Sequence, residues 1–292
     1  MTSESNPAEA TSMARAPRLA GKVAIVTGGG NGLGRASAVR FAEEGAAGVV
    51  IADLLEAPAR ETIGLIEAAG SRAVFCPLQA ASRGDNQAMV STALEQFGQV
   101  DVLLTAAGVS YGNYRSGDGE ASRKRMQESV DNALTPWIPF LDLSVEEFQA
   151  VLDVNLTGTL LAVQAVAAHL VEAQRPGSLI TIASIMARSD TGPVPYNVSK
   201  AGVWMLTKIA ARVLAPRAIR VNAIGPGYVA TNMTVGLEAL PTEMMTSFMA
   251  QIPMGRLGQP VEIANTALFL ASDESSYFTG ELLHPDGGFF TG

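Results

Sequence analysis

The sequence has few of the residues that would indicate a metalloprotein, a disulfide-rich secreted protein or a nucleic-acid-binding protein. Its single cysteine, Cys76, cannot form an internal disulfide, and its two histidines, His169 and His284, lack the spacing of a zinc site. Acidic residues outnumber basic ones by 28 to 20, which leaves no broad basic face for a nucleic acid. We therefore expect no metal, no nucleic-acid partner, and a buried cysteine in a reducing compartment.

Long hydrophobic runs are also scarce. Polar residues interrupt even the most apolar stretch, Leu156 to Leu170, so we expect no membrane span and no membrane partner. The N-terminal residues are rich in Ser, Ala, Glu and Pro and lack the apolar centre of a secretory signal; we expect a disordered tail over 1–19. These absences predict a cytoplasmic location, with residues 20–292 forming one domain.

From Lys22 onward, β-branched runs alternate with longer helical stretches. This alternation predicts parallel strands joined by crossover helices, and so a single α/β domain of the Rossmann type with a doubly wound, seven-stranded parallel sheet. Ser144 and Glu147 form a capping box that places the start of the longest helix. The expected strands are 23–27, 48–53, 72–76, 100–106, 178–184, 220–224 and 281–284, and the expected helices are 32–44, 58–69, 85–97, 145–173, 196–214 and 260–272.

Segment 109–141 interrupts this alternation, because it is much longer than the connection expected between a strand and a helix. It contains a possible short helix over 121–132 and the aromatic residues Tyr111, Trp137 and Phe140. Its position after the fourth strand places it at the carboxyl edge of the sheet, over the crevice where such folds bind ligands. The segment is a candidate lid, substrate wall or oligomer contact, and its aromatic residues either line a pocket or anchor the segment to the body.

A glycine-rich loop follows the first strand and precedes the first helix. Glycine allows a pyrophosphate to approach the backbone at the positive N-terminus of that helix. Asp53, at the end of the second strand, is placed to accept hydrogen bonds from the adenosine ribose. The cofactor-binding candidates here are Gly28, Asn31, Gly32, Leu33, Gly34, Asp53 and Leu54.

The residues around this loop favour NAD(H) over NADP(H). Asp53 would repel the additional ribose phosphate of NADP, its neighbour Leu54 is apolar, and Asn31 stands where a basic residue would assist NADP binding. Arg35 is the nearest basic residue, and we expect it on the helix surface or at the pyrophosphate. We therefore predict NAD(H) as the cofactor, with NADP(H) as the less favoured alternative.

The candidate catalytic residues lie in the second half of the chain. Tyr196 and Lys200 share one helix face, and an ammonium beside a phenol lowers the phenol pKa, which suits it to proton transfer near neutral pH. Ser184, at the end of the preceding strand, is placed to hold a substrate oxygen, and Asn155 is an unfavourable choice within a helix. A Tyr-x-x-x-Lys pair alone is common by chance, but this ordered set behind a nucleotide-binding loop predicts hydride exchange with an alcohol or carbonyl.

Together these motifs resemble the classical short-chain dehydrogenase/reductase family across residues 20–290. The motifs that carry the resemblance are the loop from Thr27 to Gly34, Asn155 within Asp153-Val-Asn-Leu-Thr-Gly158, Ser184, Tyr196-x-x-x-Lys200, Gly225-Pro-Gly227 and Asp286-Gly-Gly288. The resemblance implies that Tyr196 is the general acid/base and that Ser184 orients the substrate oxygen. It also implies that Lys200 binds the nicotinamide ribose and lowers the Tyr196 pKa, and that Asn155 holds a water of the proton relay.

The same resemblance implies further contacts and an assembly. Residues 228–258 resemble the family's mobile substrate-binding loop; otherwise they would be an ordinary pair of core helices. We expect a homo-oligomer, a tetramer built on the two long helices and the last strand, with the apolar face from Leu156 to Leu170 serving core and interface. The remaining implied cofactor contacts are Gln79, Ala107, Gly108, Pro226, Gly227, Val229 and Thr231.

Two departures from the family pattern lie on the adenosine side. Thr105-Ala106 stands where two asparagines are usual, which removes amides that brace the sheet. Gln79 stands where an adenine-binding aspartate is common, and its amide oxygen is expected to accept from the adenine amino group.

The predicted substrate is a secondary alcohol or ketone, for which a cyclic, an aromatic and a steroid-like compound are the candidates. Two other functions compete with this one: a non-catalytic dinucleotide sensor, and a sugar epimerase or dehydratase. Sensors of this fold generally lose the tyrosine or the lysine, whereas extended epimerases usually have a larger C-terminal substrate domain than this chain offers.

Overall fold

A computed structural model describes residues 16–114 and 116–290, and seven parallel strands form one sheet within them. The strands are β1 (Val23–Thr27), β2 (Gly48–Asp53), β3 (Ala73–Pro77), β4 (Val102–Thr105), β5 (Gly177–Ile182), β6 (Ile219–Ile224) and β7 (Leu282–Leu283). Their order in the sheet is β3-β2-β1-β4-β5-β6-β7. This order reverses direction between β1 and β4, which opens the ligand crevice of a doubly wound fold.

Helices cover both faces of this sheet, as a parallel sheet requires. The helices are α1 (Gly32–Glu43), α2 (Glu56–Ala68), α3 (Arg83–Phe97), α4 (Gly119–Asp131), α5 (Trp137–Leu141), α6 (Val145–Leu152), α7 (Gly158–Glu172), α8 (Val194–Leu214), α9 (Thr242–Met249) and α10 (Pro260–Ala271). Buried side chains of α1, α2 and α10 pack on one face, and those of α3, α7 and α8 pack on the other. The predicted single Rossmann-type domain with seven parallel strands is confirmed.

The continuous apolar strands explain why the sheet is central. Every residue of β1 is buried, and Val49, Val50 and Ile51 of β2 are wholly inaccessible to solvent. Removing such side chains from water stabilises the fold by about 1.5–3 kcal/mol each. Both faces of these strands therefore supply core, and the crevice is left at their carboxyl ends.

The long helix expected over 145–173 spans Val145–Glu172. A π-helical turn, Asp153–Thr157, lies within it between α6 and α7, and this turn was not predicted. Ser144 caps α6 as expected, with its Oγ accepting from Glu147 N at 3.1 Å. π turns of this kind often occur at functional sites, and this one contains Asn155.

The other boundaries differ from the predictions by a few residues. Helix α8 begins at Val194 instead of Tyr196 because Pro195 fits the first turn of a helix, and this places Tyr196 in that turn. The predicted strands 100–106 and 281–284 are shorter in the structure, at Val102–Thr105 and Leu282–Leu283. Segment 109–141 contains α4 and α5, and α9 lies within 228–258, so the helices exceed the six predicted.

The end of the predicted tail is packed against the domain. Leu19 is fully buried and its N–H donates to Glu44 O at 2.8 Å, while Arg18 forms an ion pair with Glu44 at 2.8 Å. These contacts correct the tail boundary at residue 19. The rest of the predicted tail, residues 1–15, lies outside the described residues.

One helical stretch, Val145–Glu172, is long and apolar enough by composition to cross a membrane, with a mean hydropathy of 1.5. Its polar residues do not lower that average as far as the sequence analysis expected. Half of its most apolar window is buried inside the protein, where Val163, Val166 and Leu170 pack on the sheet. This burial is typical of a core helix.

Candidate active site

The glycine-rich loop forms a cradle that side chains would fill. A Cβ on Gly34 would lie 2.2 Å from Gly28 O, and one on Gly28 would lie 2.6 Å from Ala107 N. Gly28 also has a φ of 64°, which favours glycine. Asn31 provides no side-chain cap to α1, so its side chain does not occupy the first N–H groups of the helix, and this arrangement fits a pyrophosphate.

Asp53 lies directly beside this loop. Its Oδ2 accepts from Gly30 N at 2.8 Å and its Oδ1 accepts from Leu55 N at 2.9 Å, so the carboxylate is held at the end of β2. A Cβ on Gly30 would approach Asp53 Oδ2 to 2.9 Å. Leu54 beside it is half exposed. The structure thus brings the ribose-binding candidate and the phosphate-binding candidates together.

Arg35 lies partly exposed on the surface of α1, one of its two expected positions, and neighbouring groups hold it there. Its Nε donates to Gly30 O at 2.9 Å and to Thr62 Oγ1 at 3.0 Å, and its other end forms an ion pair with Glu61 at 2.9 Å. The guanidinium therefore links α1 to α2 and braces the glycine-rich loop from behind. The role of Arg35 in joining the two helices could not be predicted from sequence, because its partners Glu61 and Thr62 lie in the following helix.

Tyr196, Ser184 and Lys200 converge at the carboxyl ends of β5 and β6. Ser184 follows β5, and Tyr196 forms a side-chain hydrogen bond with it. Lys200 Nζ lies 5.5 Å from the centre of the Tyr196 ring and donates to Ile182 O at 2.8 Å. Three of the four side chains predicted for catalysis therefore form one cluster, although their catalytic roles stay predictions.

The electrostatics of the cluster differ from the sequence expectation. Burial raises the pKa of the Tyr196 phenol, and the hydrogen bond from Ser184 opposes this effect. Burial also lowers the pKa of Lys200 to about 8. The expected fall in the pKa of Tyr196 is thus not seen, because desolvation outweighs the nearby groups.

The side-chain amide of Asn155 binds the backbone of Val109 in this structure. Its Oδ1 accepts from Val109 N at 2.8 Å, and its Nδ2 donates to Val109 O at 2.9 Å and to Ser199 Oγ at 3.0 Å. Both amide hydrogens are used in these bonds. The predicted role of Asn155 in holding a water stays a prediction.

The segment expected at the nicotinamide follows β6 and contacts both the turn after Ser184 and the glycine-rich loop. Pro226 O accepts from Ile185 N at 3.1 Å, and a Cβ on Gly227 would lie 2.6 Å from Asp286 Cα. Val229 O accepts from Thr234 Oγ1 at 2.7 Å. A Cβ on Gly32 would approach the methyl group of Thr231 to 3.7 Å, so this segment reaches the glycine-rich loop.

The residues expected on the adenosine side include one buried polar group without a hydrogen-bond partner among the described residues. Ala107 N donates to Thr27 Oγ1 at 3.3 Å, but the buried hydroxyl of Thr105 has no hydrogen-bond partner among the described residues. Gln79 is exposed, and its backbone N–H donates to Asp85 at 2.8 Å. Gly108 lies against the catalytic cluster, because its Cβ would be 3.3 Å from Asn155 Oδ1.

Segment 109–141 packs on the 3-10 helix Asn232–Ala239. A Cβ on Gly236 would lie 2.7 Å from Ser122 O, which shows how closely α4 approaches this helix. Tyr111 is partly buried, with Arg125 over its ring, whereas Trp137 and Phe140 are more than half exposed. Tyr111 therefore packs against α4 within the same segment, whereas Trp137 and Phe140 are exposed to solvent.

An aromatic cluster near Tyr196 escaped the sequence analysis. The Tyr228 ring lies 4.5 Å from that of Phe248 and 5.9 Å from that of Phe289, between α9 and the C-terminal segment. Phe289 in turn contacts Phe290 at 5.1 Å. The aromatic pair directly after the Asp-Gly-Gly motif was the available signal.

Neither histidine belongs to a metal site. Among the residues described, no group of three or more His, Cys, Asp or Glu side chains is arranged to hold a metal ion. His284 lies just beyond β7, with Nδ1 3.2 Å from Gly225 O, and His169 is half-buried on α7.

The geometry agrees with comparisons to known proteins. A family model described as enoyl-(acyl carrier protein) reductase matches residues 28–136 and 129–290. The chain belongs to the short-chain dehydrogenase/reductase family, and it is an oxidoreductase of that family.

Three similar proteins illustrate the range of that family. The chain is 38% identical to 2,5-dichloro-2,5-cyclohexadiene-1,4-diol dehydrogenase LinX of Sphingobium indicum, over 95% of this chain and 99% of LinX. It is 35% identical to 3-oxoacyl-[acyl-carrier-protein] reductase FabG of Thermotoga maritima, over 93% and 98% of the two chains. A putative 2-deoxy-D-gluconate 3-dehydrogenase from Agrobacterium tumefaciens, solved with bound NADP, superposes with a TM-score of 0.76 at 33% identity, over 94% and 98%.

Proposed function

We propose that this protein is an NAD(H)-dependent dehydrogenase/reductase that acts on a secondary alcohol or ketone, with Tyr196 as general acid/base. The observation that carries the proposal is the convergence of Tyr196, Ser184 and Lys200 beside a glycine cradle suited to a dinucleotide. The bound nicotinamide would supply the hydride acceptor or donor.

The side chains of the cluster would manage the proton and the substrate oxygen. In oxidation, the Tyr196 phenolate takes the hydroxyl proton of the alcohol while Ser184 holds the same oxygen by a hydrogen bond. The Lys200 ammonium, with a pKa of about 8, is mostly charged at neutral pH and stabilises the phenolate. In reduction, Tyr196 returns the proton to the carbonyl oxygen.

NAD(H) is the proposed cofactor because of charge. The Asp53 carboxylate borders the loop, and Arg35 is engaged by Glu61 and Gly30 instead of facing a ribose phosphate. One relative was solved with bound NADP, so NADP(H) is the alternative cofactor to be tested. We expect Asp53→Asn, which keeps an acceptor but removes the charge, to weaken NADH binding and tighten NADPH binding in fluorescence titrations; tighter NADPH than NADH binding by the unaltered protein would contradict the proposal.

The substrate class follows from the cluster's surroundings. The Tyr228 and Phe248 rings offer an apolar wall, and LinX is named for a ring-bearing diol. We therefore propose a small cyclic or aromatic secondary alcohol, or the matching ketone, as the substrate.

The decisive experiment compares two tyrosine variants. The protein is incubated with NAD and cyclohexanol, a cyclic vicinal diol or a β-hydroxyacyl thioester, and the formation of NADH is followed by absorbance. Tyr196→Phe should abolish turnover while NADH binding persists, whereas Tyr277→Phe, at a fully exposed position, should behave as wild type.

The competing functions give different results in the same experiment. Tight NADH binding without turnover on any alcohol or ketone favours a dinucleotide sensor. Conversion of a nucleotide sugar without net NADH formation favours an epimerase or dehydratase.

We also propose a cytoplasmic homotetramer. The apolar face expected on α7 is largely used for the core, since Leu161, Val163 and Leu170 are buried, but α8 exposes Met205, Ile209 and Val213 along one face. Such a stripe is typical of a helix that packs against another copy. Light scattering should give a tetramer mass, and Ile209→Glu should reduce it; a monomeric wild-type protein would refute this part.

A further inference from the structure

We infer that Ser199 is a positioning residue, whose hydroxyl joins Asn155 to the backbone of Tyr196 and holds the phenol in place beside Ser184 and Lys200. Ser199 lies between the acid/base candidate and the lysine in sequence but faces away from solvent entirely. The inference rests on the proposed function of Tyr196.

The Ser199 hydroxyl makes two hydrogen bonds of different kinds. It donates to Tyr196 O at 2.7 Å, a bond that serine in a helix often makes to the preceding turn. It also accepts from Asn155 Nδ2 at 3.0 Å, across to another element. The second bond distinguishes Ser199 from an ordinary helical serine, because it fixes the first turn of α8 to the π-helical turn.

Asn155 is itself held in place by several hydrogen bonds, so the side chain that donates to Ser199 is fixed. Its amide makes two bonds to Val109 beyond β4, and its backbone carbonyl accepts from Thr159 Oγ1 at 2.7 Å. The resulting chain of hydrogen bonds runs from the end of β4 through Asn155 and Ser199 to Tyr196. Three elements are thereby fixed relative to one another.

The first turn of α8 needs such support. Pro193 precedes the helix and provides no side-chain cap, so the turn that contains Tyr196 lacks the usual end stabilisation. Lys200 is anchored independently through Ile182 O. Without Ser199, Lys200 would stay fixed while Tyr196 could shift away from it and from Ser184.

The test compares two buried serines. Ser199→Ala removes the link, whereas Ser178→Ala removes an equally buried hydroxyl that donates to Leu270 O at 2.7 Å at the far end of β5. The readout is the phenolate titration of Tyr196 with NAD bound, obtained by subtracting the near-ultraviolet signal of the matching Tyr196→Phe background. This readout needs no substrate, so its failure is distinct from failure of the proposed reaction.

We expect Ser199→Ala to move the Tyr196 titration to higher pH by about one unit, because a displaced phenol loses its bond from Ser184. With an alcohol that the wild type oxidises, kcat should fall about tenfold to a hundredfold, with little change in the NADH dissociation constant. Ser199→Thr, which keeps the hydroxyl, should restore both values.

Ser178→Ala should leave the Tyr196 titration and kcat unchanged. If Ser199→Ala does not fold, Ser199→Cys, a weaker donor of similar shape, should give an intermediate shift. A Tyr196 titration that is the same in the Ser199 and Ser178 variants would overturn the inference.

Discussion

At the scale of single residues, Lys200 makes stability depend on pH. Its pKa is about 8 in the folded protein and 10.5 when exposed, so the folded state binds fewer protons between these values. Stability should therefore rise as pH increases from 8 to about 10.5, by up to about 3 kcal/mol. Urea unfolding of wild type and Lys200→Met across this range measures the effect, because the variant should lack the rise.

A matched control for this prediction is Lys208→Met. Lys208 lies on the same helix with its ammonium over the Trp204 ring and is exposed. The Lys208 variant should keep the wild-type slope. The same flat profile in wild type and Lys200→Met would show that the buried ammonium does not titrate in this range.

At the scale of elements, the close contact of α4 with Asn232–Ala239 is possible because Gly236 has no side chain. Gly236→Ala would place a Cβ 2.7 Å from Ser122 O, so the two elements must separate. We expect a destabilisation of about 1–3 kcal/mol and faster hydrogen exchange in Gly119–Asp131.

Gly64→Ala provides the opposite control. Nothing lies within 4 Å of a Cβ at Gly64 on α2, so alanine should stabilise that helix by about 0.5–1 kcal/mol. Equal urea midpoints for the two variants would argue against close packing of α4 on Asn232–Ala239.

The strands and helices differ from the site residues in how far the sequence predicts them. Apolar strand runs, the glycine-rich loop and the Ser144 cap are local signals, and they correctly predicted the order of strands and helices. The π-helical turn at Asn155 could not be predicted, because the partners of Asn155, Val109 and Ser199, are distant in sequence. The bracing role of Arg35 and the raised pKa of Tyr196 likewise arise only from tertiary packing.

At the scale of the whole molecule, Glu44 connects the chain segment before β1 to α1. Hydrogen bonding to Arg18 holds the pKa of Glu44 down at about 2, with a further contribution from Arg40. A lowered carboxyl pKa stabilises the fold above the ordinary value near 4.5, and this contribution is lost as the pH falls toward 2.

Glu44→Gln should therefore destabilise the protein at pH 7 by about 1–2 kcal/mol, after allowance for solvent screening, and by less at pH 3. Glu43→Gln, which removes the more exposed partner of Arg40, should have a smaller effect. Thermal unfolding of both variants at the two pH values tests this, and an equal loss from Glu44→Gln at both would exclude a charge-based role.

The strand order has a consequence for how the chain is made. After β2 pairs with β1 and β3 pairs with β2, each later strand, from β4 to β7, adds to the free edge on the β1 side in the order in which the ribosome delivers it. The sheet can therefore grow during synthesis without waiting for a later strand to be inserted between earlier ones. Until β4 emerges, however, the apolar edge of β1 is bare, and an unpaired edge of this kind is open to pairing with another chain.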